Sequence, residues 1–207
     1  MVAFRLLGIT DRRLVAPGHG LDDWLAILCW HGLRGVQLRE KDLDDEALTR
    51  LAMQCRPIFE RHHLQWFVNG SAAVAARVEA TGVHLPASGD PAAARAQLRA
   101  GALVGQSVHS LDAARAAAAA GADFLVLGPI FTPGSKPAVG PPLGLEGVRM
   151  VCRAVAVPVF TVGGMTPERA EACRAAGACG AAAVSALMAT DEPEETLAKF
   201  EHALEHL

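Results

Sequence analysis

The chain has 207 residues, 51% of them hydrophobic, enough for one substantial core, and its 19 Lys and Arg against 22 Asp and Glu leave a net charge of −3. No basic run offers a nucleic acid its electrostatic footprint, no uncharged run is long enough to span a membrane, and the apolar start Met1–Thr10 lacks the basic lead of a signal peptide. Five cysteines (Cys29, Cys55, Cys152, Cys173 and Cys179) without Cys-x-x-Cys or Cys/His metal spacing point to a cytoplasmic protein with reduced, buried thiols and no nucleic-acid or membrane partner.

In chain order, short apolar runs alternate with longer helical patterns. Strand-like runs fall at Val2–Ile9, Gly35–Leu38, Gln65–Val68, Gly82–Leu85, Leu103–Gln106, Phe124–Leu127, Val157–Val162 and Ala181–Val184. Helical patterns follow them at Leu21–His31, Asp44–His62, Ala72–Ala80, Pro91–Ala100, Leu111–Ala120, Leu145–Ala154, Pro167–Ala176 and Glu194–His206. Such alternation is what a parallel sheet with crossover helices produces. Eight units predict a closed (β/α)8 TIM barrel, one α/β domain over residues 1–207. A doubly wound sheet usually stops at about five or six strands and opens with a Gly-x-Gly-x-x-Gly turn, which is missing here.

Local chemistry agrees with these boundaries. Thr166-Pro167 and Asp90-Pro91 each pair a capping side chain with a proline whose missing N–H is harmless in a first helical turn. Gly82, Gly121 and Gly177 stand where helices end, as glycine C-caps do. Trp24, Trp30 and Trp66 occupy apolar positions that core packing explains.

A barrel of this kind builds its site from the loops that follow its strands. After the second strand, alternation in Gln37-Leu38-Arg39-Glu40-Lys41 puts Gln37, Arg39 and Lys41 on one face, a set of donors suited to phosphate or diphosphate. A solvated strand end paired with Glu40 and Asp42 is the alternative. After the sixth strand, the long Gly/Pro-rich segment from Gly128 to Gly144 carries Ser135 and Lys136, which can donate to an anion or simply lie at the surface. Gly163-Gly164 after the seventh strand and Val184-Ser185 after the eighth lie where barrels commonly bind phosphate, although Gly-Gly also suits a tight turn.

The ordered set Gly8-Ile9-Thr10-Asp11, Gln37-Leu38-Arg39-Glu40-Lys41, Val83-His84-Leu85, Gly128-Pro129-Ile130-Phe131, Gly163-Gly164-Met165-Thr166-Pro167 and Val184-Ser185 resembles the thiamine phosphate synthase/TenI superfamily. The resemblance implies a phosphorylated thiazole as ligand, held by Gly164, Val184, Ser185 and Ser135. In the synthases, positions matching Gln37, Arg39, Lys41, Asn69, Ser107 and Lys136 bind a pyrimidine diphosphate.

Departures from the pattern favour the TenI-like branch. Synthases carry an aspartate directly after the strand-three asparagine and another after strand four, and these hold magnesium; here Gly70 follows Asn69, and Asp90 lies one residue late, at a helix start. The expectation is therefore a TenI-like protein with no metal or other cofactor, magnesium returning only if the chain is a synthase. Enzymes of that branch shift a proton on a carboxythiazole phosphate, which needs an acid/base group. The branch's usual histidine falls at Pro129, leaving His109 and His84 as the catalytic candidates. A thiamine phosphate synthase and a non-catalytic ligand-binding homologue are the alternatives. The apolar face of Leu21–Trp30 offers a homodimer surface.

Overall fold

The computed structural model describes residues 1–132 and 141–205. Eight strands, β1 (Leu6–Ile9), β2 (Gly35–Leu38), β3 (Gln65–Asn69), β4 (Gly82–Leu85), β5 (Leu103–Val108), β6 (Phe124–Leu127), β7 (Val159–Val162) and β8 (Gly180–Ala183), pair in sequence order. All pairs are parallel, and β8 closes on β1 through Leu6↔Ala181, Leu7↔Ala182 and Gly8↔Ala183. The expected (β/α)8 barrel is present.

Helices α1 (Leu21–Trp30), α2 (Asp45–Arg61), α3 (Ala72–Arg77), α4 (Pro91–Arg95), α5 (Leu111–Ala119), α6 (Gly144–Ala154), α7 (Pro167–Ala175) and α9 (Pro193–Glu205) surround the sheet. Two short pieces were not foreseen: a 3-10 turn at Arg12–Leu14 and α8 at Ser185–Met188. Both follow strands at the mouth of the barrel. Among the described residues no helix is long and apolar enough to cross a membrane.

Several boundaries move for identifiable reasons. The first strand begins at Leu6 because Phe4 leaves the ladder and turns its ring into the barrel, 5.1 Å from Phe160 and 6.0 Å from Phe67 by ring centroids. Pro158 cannot donate to a ladder, and β7 starts after it. Asp90 and Thr166 cap as expected, accepting from Ala92 and Ala93 and from Arg169. Gly121 and Gly177 have positive φ, but Gly82 does not; Glu79 takes the left-handed position at the end of that helix, at φ 53°. Gly82 is needed for space instead, since a Cβ there would lie 1.9 Å from the Leu103 carbonyl oxygen.

Trp24 and Trp66 are core residues, and the Trp24 indole donates to the Leu187 carbonyl at 3.0 Å, tying α1 to α8. Trp30 is not: the last residue of α1 is 78% exposed, because it points away from the sheet. All five cysteines are free, three of them buried.

The barrel interior explains where the site sits. Phe67, Phe124 and Phe160 are fully buried inside it, each burial worth roughly 1.5–3 kcal/mol. Gly105 makes room for one of them, because a Cβ there would stand 2.2 Å from Cζ of Phe124. Toward the C-terminal ends of the strands this aromatic layer gives way to Gln37, Asn69, His84 and Ser107 on β2 to β5, and to Ile9, Val126, Val162 and Ala182 on β6 to β1. One half of the mouth is therefore polar and the other apolar.

Candidate active site

These residues line a cavity of about 700 Å³ at the C-terminal ends of the strands. Its size suits small organic ligands, and its split lining lets one side hold charge while the other holds a ring.

Arg39 supplies the cation of the polar half. It lines the cavity, and burial lowers its pKa, an effect that the nearby Asp11 carboxylate partly offsets. A partly desolvated guanidinium is suited to an anion. Its backbone is held by a clasp between the first two strand ends. The buried Glu40 carboxylate accepts from the Thr10 hydroxyl at 2.6 Å, from the Arg12 N–H at 3.2 Å and from the Arg12 guanidinium at 2.9 Å. Thr10 Oγ1 in turn accepts from the backbone N–H of Arg39 at 2.9 Å. Arg12 also reaches Asp42, which holds that carboxyl below its ordinary pKa.

The clasp also ends the strand alternation. β2 stops at Leu38 and Glu40 folds back toward Arg12, so Gln37 and Arg39 reach the cavity while Lys41 lies exposed in the following turn, outside the cavity lining. The shared face expected for all three holds for two.

Behind Arg39 stands a buried hydrogen-bonded row. Gln37 Nε2 lies 2.8 Å from Asn69 Oδ1 and 3.0 Å from His84 Nδ1. His84 is almost fully enclosed, and desolvation, with the Arg39 charge adding to it, pushes its pKa down to about 3. Burial thus favours the neutral imidazole, which suits a hydrogen-bonding role better than proton exchange near neutrality. His109 stands elsewhere: exposed just past β5, with Nδ1 against the Gly128 carbonyl and outside the cavity lining. Ser107, two residues earlier, does line the cavity.

The apolar half ends in the two expected loops. Gly163 and Gly164 line the cavity with φ of 107° and 58°. A Cβ on Gly163 would lie 2.9 Å from Cα of Pro129, and one on Gly164 2.9 Å from the Thr132 carbonyl oxygen, so neither position has room for a side chain. Arg169 holds this turn by donating to the Gly164 carbonyl while its guanidinium stacks 4.8 Å over Phe131. Val184 leaves the strand conformation, at φ −107° and ψ −82°, and Ser185 begins α8. The first N–H groups of such a turn have no acceptor within it. Both residues line the cavity. Ser135 and Lys136 lie outside the described residues.

Sequence reasoning missed the apolar lining as well as two charged cavity residues, Asp11 and Arg13, whose Nε donates to Asp11 at 2.8 Å. Their place after the first strand was the available signal.

Residues 6–187 match the thiamine monophosphate synthase family. The chain belongs to that family. A protein of Geobacter sulfurreducens named "Putative thiamine-phosphate synthase" is 39% identical over 198 residues, covering 94% of this chain and 91% of its own. A thiamine-phosphate synthase of Chloroflexus aurantiacus is 36% identical over 192 residues, covering 93% and 88%. The structure of a thiamine phosphate pyrophosphorylase from Pyrococcus furiosus superposes with a TM-score of 0.84 at 26% identity, over 97% of this chain and 95% of that one.

A synthase of this family is expected to use magnesium, and the residues present do not fit it. Gly70 has no side chain to offer, Asp90 spends Oδ1 on the first turn of α4, and Asp11 is engaged by Arg13. Among the described residues no three His, Cys, Asp or Glu side chains are grouped to hold a metal ion.

Proposed function

We propose that the chain is an enzyme of thiamine biosynthesis, a thiamine-phosphate synthase that joins hydroxymethylpyrimidine diphosphate to thiazole phosphate. The observation that carries this reading is the pair of donor sets facing one cavity. Arg39, Asn69 and Ser107 stand on β2, β3 and β5 or their ends, and Gly163, Gly164 and Ser185 stand after β7 and β8. An anion subsite for each partner would bring two phosphorylated rings together over the apolar floor, turning a bimolecular encounter into a positioned one. In the reaction the thiazole nitrogen bonds to the pyrimidine methylene carbon as that carbon's bond to the diphosphate oxygen breaks. Diphosphate leaves with the electron pair, and the half-buried Arg39 guanidinium is placed to meet its charge. The names carried by the relatives support the same reading.

A second reading has one specific observation in its favour, the lack of metal-fitting carboxylates at Gly70 and Asp90. It is a TenI-like protein that binds a carboxythiazole phosphate and shifts a proton on it, or only binds it. The deciding experiment supplies the purified chain with both substrates, with magnesium or with EDTA, and scores thiamine phosphate. Product supports the synthase. No product under either condition, with thiazole phosphate still bound, overturns it in favour of the second reading, and conversion of carboxythiazole phosphate would then separate tautomerase from binder.

A further inference from the structure

We propose that His84 is a positioning residue that decides, through the amide of Gln37, which end of the Asn69 side chain faces the ligand. The proposal rests on the reading of the polar half as an anion subsite and adds to it a buried imidazole in the cavity wall that acts through the Gln37 amide.

Gln37 and His84 are both almost fully enclosed, at 1% and 2% exposure. The Gln37 amide nitrogen has two hydrogens and two acceptors in reach, Asn69 Oδ1 at 2.8 Å and His84 Nδ1 at 3.0 Å. For Nδ1 to accept, the imidazole proton must sit on Nε2. Because Gln37 spends both hydrogens, Asn69 must turn its oxygen inward. That leaves its NH2 group for the cavity, beside Ser107 and Arg39.

The opposite tautomer would reverse the row. A proton on Nδ1 would donate to the Gln37 oxygen, the Gln37 amide would flip, and Asn69 would bond inward through its nitrogen. The cavity would then meet a carbonyl oxygen, which repels an anion. The arrangement seen here has a cost: Gln37 Oε1 and His84 Nε2 are buried without a hydrogen-bond partner. That cost is consistent with a row kept for its polarity and not for stability. One side of the His84 ring packs beside Phe124, with centroids 5.9 Å apart.

Two measurements test this. Long-range proton–nitrogen correlation spectra of the 15N-labelled chain read the tautomer without any ligand. The Nε2–H pattern is expected for His84 at pH 7; an Nδ1–H pattern or an imidazolium overturns the proposal. Inorganic pyrophosphate is then titrated into wild type, His84→Leu and His84→Asn. Leucine removes the acceptor, whereas asparagine can place a carbonyl near the position of Nδ1. The leucine variant should bind about tenfold more weakly, the loss of one charge-assisted donor, and asparagine should restore most of the difference. Equal binding by wild type and His84→Leu, or no rescue by asparagine, overturns the proposal. In an Asn69→Ala background, His84→Leu should add nothing. Failure of wild type to bind pyrophosphate at all would instead sink the anion reading of the polar half, and the imidazole spectrum still decides the relay.

Discussion

The Thr10 hydroxyl donates to the buried carboxylate of Glu40 at 2.6 Å across 30 residues of sequence, and the same hydroxyl oxygen receives the backbone N–H of Arg39. One threonine thus joins the ends of the first two strands and holds the backbone of Arg39 between them. Replacing Glu40 by Gln keeps the shape but removes the charge that Arg12 and Thr10 share. Leaving buried donors poorly paired costs about 1–3 kcal/mol. Urea unfolding should show a loss of that order, together with weaker binding of pyrophosphate. An unchanged midpoint and unchanged affinity would show that the clasp does not set Arg39.

How much of this was legible in the sequence divides cleanly by range. The barrel was readable because each strand and helix announces itself locally through apolar runs, caps and prolines, and the loops after β7 and β8 could be placed by counting strands. Gln37 and Arg39 were readable from alternation. Lys41 was not, because the strand ends where Glu40 meets Arg12, a contact 28 residues apart. Trp30 likewise looked like core by composition, and only the direction of its side chain from α1 exposes it. His84 could be named as a site residue, but its almost fully buried, proton-poor state depends on neighbours from β2, β3 and β6 that no local pattern joins.

That buried state makes a pH prediction. The pKa of His84 falls from 6.5 in the unfolded chain to about 3 in the folded one, so the unfolded chain binds the extra proton. The stability this imidazole leaves intact is complete above pH 6.5 and is lost as pH falls from there toward 3, by up to about 1.4 kcal/mol per pH unit. Denaturant melts of wild type and His84→Asn between pH 7.5 and 4.5 should converge as the pH falls, the wild type losing more. Parallel curves would mean that the imidazole titrates alike in the folded and unfolded chains.

Gly163 carries a backbone constraint and a close approach together, with φ of 107° and only 2.9 Å to Cα of Pro129 for any added Cβ. Gly163→Ala should cost on the order of 1–3 kcal/mol in thermal or urea unfolding from strain and crowding. It should also weaken thiazole phosphate more than pyrophosphate, if the two anions divide between the loops and the polar half as proposed. Equal weakening of both ligands would argue for a single shared subsite.

Arg39 and His109 give the sharpest contrast between a residue in the cavity and one beside it. Arg39 presents a partly desolvated guanidinium to the ligand, and charge-assisted bonds of that kind are worth about 1.5–3 kcal/mol. Arg39→Ala should therefore weaken pyrophosphate by at least about tenfold and lower turnover in the synthase assay. Arg39→Lys should recover only part, because an ammonium cannot reproduce the planar fork. His109 faces solvent and spends Nδ1 on the Gly128 carbonyl, so His109→Ala should leave affinity and turnover close to wild type. The two variants are best measured side by side, by calorimetry and by product formation at saturating substrate. A large turnover loss in His109→Ala with binding intact would place that histidine over the ligand during reaction, and it would require the loop after β5 to move inward from the position seen here.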